Sequence, residues 1–145
     1  MAEFDNIDVV VINGVKYRRK LRDYTLQLVR SAVVLAVFSG SIQIDPGTPF
    51  FLTSLHAADT ADTKVLSTQE AWYTQCQDNE GGYLWCDGPV ERSSMFADRI
   101  LGYQLPQPMP IRTNTRMTWT IINAAAGAGA GTATIVLRGY SLIAM

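Results

Sequence analysis

The side chains with the widest chemical repertoire are one histidine, two cysteines and a few acids. His56 is the only histidine, so any Ser-His-Asp or Cys-His machinery has to be built on it. It lies between Leu55 and Ala57, at the expected end of an apolar strand beside a polar loop, where a hydrogen-bonded structural imidazole fits better than a catalytic base. Cys76 and Cys86 flank Asn79-Glu80-Gly81-Gly82. A turn centred near Gly81 would set them on opposite arms within reach of a disulfide, whereas a reducing cytosol favours two thiols on a hairpin. Zinc is poorly served, because two cysteines and one remote histidine do not make four ligands. Asp59 and Asp62, beside Thr60 and Thr63, could face a calcium ion, but the ligand count falls short and solvated carboxylates are expected. Asp78, Glu80 and Asp87 could act as an acid pair on a glycoside only at a set separation, and acids at turns are routine. Gly127-Ala128-Gly129-Ala130-Gly131 lacks the lysine, the hydroxyl and the following helix of a phosphate loop. The expectation is a protein with no cofactor and no metal, and not an enzyme.

Elements must then position surfaces rather than a reaction centre. Residues 101–142 organise the reading. Arg116-Met117-Thr118-Trp119-Thr120-Ile121-Ile122 and Thr132-Ala133-Thr134-Ile135-Val136-Leu137-Arg138 alternate in character and predict a long β-hairpin joined by the Gly/Ala loop. Met117, Trp119 and Ile121 share one face, as do Ala133, Ile135 and Leu137, so both strands cover one core. Pro106, Pro108 and Pro110 donate no hydrogen bonds and place their segment at an edge or on a surface-crossing connection.

Upstream, residues 7–12 form a short apolar strand, Asn13-Gly14 is a strong hairpin signal, and residues 15–22 are its partner. That partner carries Lys16, Arg18, Arg19, Lys20 and Arg22, the one concentration of like charge in the chain. An edge strand guarded against stray pairing explains it most cheaply; contact with an acidic partner or nucleic acid is the other reading. Residues 24–30 alternate as a half-buried strand, and the apolar run 31–38 predicts a strand covered on both faces. Ser39-Gly40 is expected to turn the chain, residues 41–44 alternate again, Asp45-Pro46-Gly47-Thr48-Pro49 is a turn, and residues 50–56 begin another strand. Residues 57–65 read as a loop. Residues 69–77 and 82–86 make two strands around Gly81-Gly82, with Trp72, Tyr73, Tyr83 and Trp85 as cross-strand aromatic pairs. Residues 93–100 are a short helix or irregular.

About eight short strands with few helical periods predict a mainly β protein, an antiparallel β-sandwich of jelly-roll type with little helix. At 145 residues it is one domain over 1–145, with a possible amino-terminal arm at 1–7. Thirteen acids against twelve bases give a net charge of −1, so nucleic acid is not expected as the main partner. The acidic start and the shortness of the longest apolar run predict a soluble chain made in the cytosol, with no membrane partner.

The Pro-rich entry Tyr103-Gln104-Leu105-Pro106-Gln107-Pro108-Met109-Pro110-Ile111, the threonine-rich strand ending at Ile122-Asn123, the Gly/Ala loop and the closing Ile135-Val136-Leu137-Arg138-Gly139-Tyr140 resemble small tailed-bacteriophage virion proteins. The segment Asp45-Pro46-Gly47-Thr48-Pro49-Phe50-Phe51-Leu52 has the same texture. That resemblance implies a capsid decoration or cement protein, or a component of the head-to-tail connection such as a neck, collar or tail-attached protein. It further implies a homo-oligomer, a trimer by preference, with the major capsid protein or another virion protein as partner and the virion as location. The interaction residues expected are Ala124, Gly127, Gly129 and Gly131 of the loop, Pro106, Pro108 and Pro110, and Arg18 and Arg19. A reading from another class is a carbohydrate-binding β-sandwich with Trp72, Tyr73, Tyr83 and Trp85 as its stacking platform.

Overall fold

The computed structural model describes residues 9–60, 72–79, 82–85, 87–96, 102–123 and 130–145. The elements in chain order are β1 (Val9–Ile12), β2 (Val15–Arg30), β3 (Val37–Gln43), β4 (Phe50–Asp59), β5 (Trp72–Gln77), β6 (Tyr83–Leu84), β7 (Val90–Glu91), the single helical turn α1 (Arg92–Phe96), β8 (Tyr103–Ile111), β9 (Arg116–Asn123) and β10 (Gly131–Ala144). They form two antiparallel sheets, one ordered β1-β2-β10-β4-β8 and the other β3-β9-β5-β6, with β7 also on β5.

The pairing is nested about the middle of the chain. β5 pairs with β6, β4 with β8, β3 with β9 and β2 with β10, so strands equally far from the central turn meet. That turn closes through Asp78 N donating to Gly82 O at 2.9 Å and Gly82 N donating to Asp78 Oδ1 at 3.0 Å. Two further ladders, β10 on β4 and β9 on β5, roll this long antiparallel ribbon into two facing sheets. The result is the expected jelly-roll sandwich.

Between the sheets, Phe50, Leu52, Leu55, Trp72, Met117, Trp119, Ile121, Ile135 and Leu137 are buried in one core cluster. Period-two alternation puts Met117, Trp119 and Ile121 on the inner face of one sheet, and Ala133, Ile135 and Leu137 on the inner face of the other. Strands β9 and β10 are nevertheless not a hairpin, because they lie in different sheets. Two half-buried strands can share a core side by side or face to face, and alternation alone does not separate the two.

Three other expectations are corrected. Residues 15–30 are one continuous strand rather than two. It is covered on one edge by β1 only from Val15 to Arg18, and on the other by β10 from Tyr17 to Arg30; the charged stretch borders an open edge only beyond Arg18. Ser39 and Gly40 do not turn the chain but lie within β3. A Cβ on Gly40 would meet Leu26 Cδ1 and Leu28 Cδ2 at 2.9 Å each, so glycine there answers cross-sheet crowding rather than a bend. The apolar run 31–38 is a loop followed by the start of β3, and most of it is exposed.

Several expectations hold. Asn13 and Gly14 both take positive φ, 52° and 79°, as the tight turn between β1 and β2 demands. The proline segment is β8, at the edge of its sheet. Between the Leu52–Met109 and Ser54–Gln104 pairs its register shifts, so Leu105-Pro106-Gln107-Pro108 bulges opposite Thr53 and the missing donors of Pro106 and Pro108 cost no ladder bond.

Candidate interaction surfaces

His56 sits within β4 rather than at its end, half-buried, with Nε2 2.9 Å from Ser54 Oγ. Burial, reinforced by the Arg138 guanidinium and only partly offset by Asp23, holds its pKa below the ordinary 6.5, so the imidazole is neutral at neutral pH. Ser54 lines a groove of about 420 Å³ with Leu21, Asp23, Thr53 and Arg138. A serine hydroxyl on a neutral imidazole is the beginning of a nucleophile arrangement. Among the described residues no acid orients it: the ring's Nδ1 packs against Gly102, and the Asp23 carboxylate lies 3.6 Å from Arg138 Nε.

Asp59 is not a solvated carboxylate. Its Oδ2 accepts from Arg30 Nε at 2.9 Å and from Trp72 Nε1 at 3.0 Å, with all three residues buried. Strand alternation brings the last residues of β2 and β4 and the first of β5 to the same end of the core, and a buried guanidinium is tolerable only with such partners. Asp62 lies outside the described residues, as do Glu80 and Cys86; Cys76 is buried on β5 opposite Leu84. Trp72 is fully buried and meets Phe96 edge-on, with centroids 6.4 Å apart, and Trp85 stacks on Trp119 at 5.6 Å. Trp72 packs into the core and offers no surface to a sugar, and Trp85, partly exposed, lies on Trp119 of β9 instead of pairing across the β5–β6 hairpin. Among the described residues, no three His, Cys, Asp or Glu side chains converge on a metal position.

Directly above the Arg30–Asp59 pair lies the first surface. Asn123, the last residue of β9, accepts from Arg30 Nη1 through Oδ1 at 3.1 Å, and its Nδ2 donates to Ser31 O at 2.7 Å and Val33 O at 2.8 Å. Its backbone N donates to Ala36 O at 2.9 Å, and Ala36 N donates to Val33 O at 3.2 Å. The Asn123 side chain thus holds the first half of the loop between β2 and β3, and its backbone N–H holds the second. That loop displays apolar residues: Val33 is 64 % exposed, Val34 52 % and Leu35 62 %. Val29 on β2 and Val37 on β3 flank it, exposed on the outer faces of different sheets. Leu35 takes φ 60°, a left-handed conformation costly for a bulky side chain. The sequence signal was present in the Val-rich run, but an apolar run does not announce whether it faces core or solvent.

A second surface crosses the outer face of the β2 sheet. Pro110 pairs with Phe51, Phe51 with Tyr140 and Tyr140 with Leu21, and directly paired residues share a face. Phe51 and Tyr140 stack at 5.2 Å, the Arg19 guanidinium lies 4.9 Å from the Tyr140 centroid, and Leu21 is 89 % exposed. From Leu21 to Val29 the strand runs about 26 Å, so this band crosses β2 near its middle and the apolar loop follows its end.

Of the interaction residues expected from the sequence, Pro110 and Arg19 come together in this band. Arg18 is exposed on the other face of β2, between Val9 and Ile143. Pro106 and Pro108 are exposed in the β8 bulge, and Gly131 begins β10 opposite Arg30, beside the apolar loop. Ala124, Gly127 and Gly129 lie outside the described residues. No protein-family model matches the chain, and no curated protein matches it.

Proposed function

We propose that this protein is a non-enzymatic structural subunit of a tailed-bacteriophage particle, made in the host cytoplasm, that self-associates and binds the capsid lattice to stabilise it. The observation that carries the reading is the pair of exposed apolar surfaces, one on the loop that follows β2 and one in the band that crosses the middle of β2. A subunit that tiles a lattice needs one contact to its own copies and another to its support, and many modest contacts gain strength from symmetry. The jelly-roll frame and the virion-like texture of the chain support the same reading, although a fold alone does not specify a function. The aromatic band across β8, β4, β10 and β2 is the lattice-facing surface, because it is broad, belongs to a rigid sheet and joins aromatic rings with an arginine, the residue types enriched in protein contacts.

The test is occupancy on purified particles by quantitative mass spectrometry. Leu21→Glu, at a position almost wholly in solvent, should leave the unfolding midpoint unchanged and lower occupancy about tenfold or more. Unchanged occupancy overturns the assignment of the band, and absence of the wild-type chain from particles overturns the function. Copy number separates the sites within a particle: hundreds per particle place the subunit on the capsid lattice, and about five to twelve place it at a neck, collar or tail attachment.

A further inference from the structure

We infer that the open edge of β2 beyond Arg18 is the docking site of the acidic segment that precedes Val9, which lengthens β1 along β2 and closes the basic part of that edge to other strands. β2 runs on to Arg30, whereas its ladder with β1 stops where Val9 meets Arg18. On the other side β10 accompanies β2 from Tyr17 to Arg30, and Lys16 O accepts from Met145 N at 3.2 Å just beyond it. Successive residues of an antiparallel strand direct their backbone groups to opposite edges. Arg19, Leu21, Asp23, Thr25, Gln27 and Val29 therefore turn theirs to the open one. Among the described residues no strand pairs with them there, and an exposed edge of this length is a template for a strand.

Register and charge identify the occupant. The pairs from Ile12–Val15 to Val9–Arg18 follow one another without a bulge. The residue bonded to Val9 thus stands at the entrance to the open edge, and a strand from another molecule competes with a tethered one. Carried on in the same register, Asp8 falls opposite Arg19, Asn6 opposite Leu21 and Asp5 opposite Arg22. Residues 1–8, which lie outside the described residues, hold three acids, Glu3, Asp5 and Asp8, and no base, whereas residues 16–22 hold five bases and no acid. Opposite charges directly across a ladder stabilise it and like charges destabilise it. Arg22 already meets Asp45 Oδ2 at 2.6 Å, but Arg19 and Lys20 make no ion pair among the described residues. Eight extended residues reach about 26 Å, which brings the segment as far as Leu26 and leaves Gln27 and Val29 uncovered.

The experiment is amide hydrogen exchange on the full chain, read residue by residue by NMR at several protein concentrations. In wild type the Arg19 and Leu21 amides should be protected at least tenfold more than those of Gln27 and Val29 on the same edge. Asn6→Pro removes the donor that faces Leu21, and Asp5→Lys with Asp8→Lys sets bases against bases. Each should bring Arg19 and Leu21 down to the protection of Gln27, while Arg22 and Tyr24, whose amides face β10, keep theirs and show that the fold persists. Equal protection at Arg19, Leu21 and Gln27 in wild type overturns the inference. Protection that survives either variant, extends to Val29 or grows with protein concentration also overturns it, because a strand of a second copy or of another protein then holds the edge.

Discussion

Replacing Asn123 with alanine is the perturbation that reaches furthest, because one amide joins the buried ion pair to the exposed loop. The substitution deletes two hydrogen bonds to the Ser31 and Val33 carbonyls and one accepted from the Arg30 guanidinium. Neutral bonds contribute about 0.5–1.5 kcal/mol each and a bond to a charged group about 1.5–3. Their sum is about 2.5–6 kcal/mol, and hydration of the two carbonyls near the surface brings the expected loss to about 3 kcal/mol. In a domain of this size that lowers the melting temperature by about 10 °C and removes a large share of a typical total stability of about 5–15 kcal/mol. Urea unfolding followed by tryptophan fluorescence gives the value directly, with the slope unchanged if only the native state is affected. Amide hydrogen exchange should localise the opening to residues 31–36. Asn123→Asp sharpens the test. It keeps an oxygen towards Arg30 but points a carboxylate at two carbonyls, so it should cost more than alanine, and its deficit should shrink as falling pH restores a donor. A loss below about 1 kcal/mol for alanine, or an aspartate variant as stable as wild type, would refute the idea that this amide organises the loop.

Two further outcomes are expected. Gly139 and Gly40 both sit in strands, but a Cβ at Gly139 would run into the Phe51 carbonyl, which is backbone, whereas at Gly40 it would meet the tips of Leu26 and Leu28. Gly40→Ala should therefore cost about 1–3 kcal/mol and Gly139→Ala clearly more, because a ladder strand cannot step aside; urea midpoints of the two variants provide the comparison, and equal losses would contradict it. For His56 the native pKa is lower than the unfolded value of 6.5, so the unfolded chain takes up the proton first. Its contribution to stability is complete above 6.5 and declines as pH falls from there towards the native pKa. His56→Gln, able to hydrogen bond Ser54 without titrating, should flatten that part of the stability profile; an identical slope in both proteins would remove His56 as its source.

Alternation around Met117, Trp119 and Ile121 and around Ala133, Ile135 and Leu137 was sufficient to assign these residues to the core, because a strand with one apolar face has one way to hide it. The Asn13-Gly14 turn and the edge position of the proline strand were legible for the same local reason: backbone dihedrals and missing donors belong to the residues themselves. Which strands pair was decided by tertiary structure. Nothing within residues 116–140 says that β9 and β10 face each other across the core instead of lying side by side, since the ladders that separate them come from β3, β5, β2 and β4. The same holds for the candidate surfaces. Leu21 and Pro110 belong to one band only because β10 and β4 lie between them, and Arg30, Asp59, Trp72 and Asn123 converge only because four strands end together. The Val-rich run was visible in the chain as apolar, but its exposure was not, because hydrophobicity is a property of a residue and solvent contact is a property of everything packed around it.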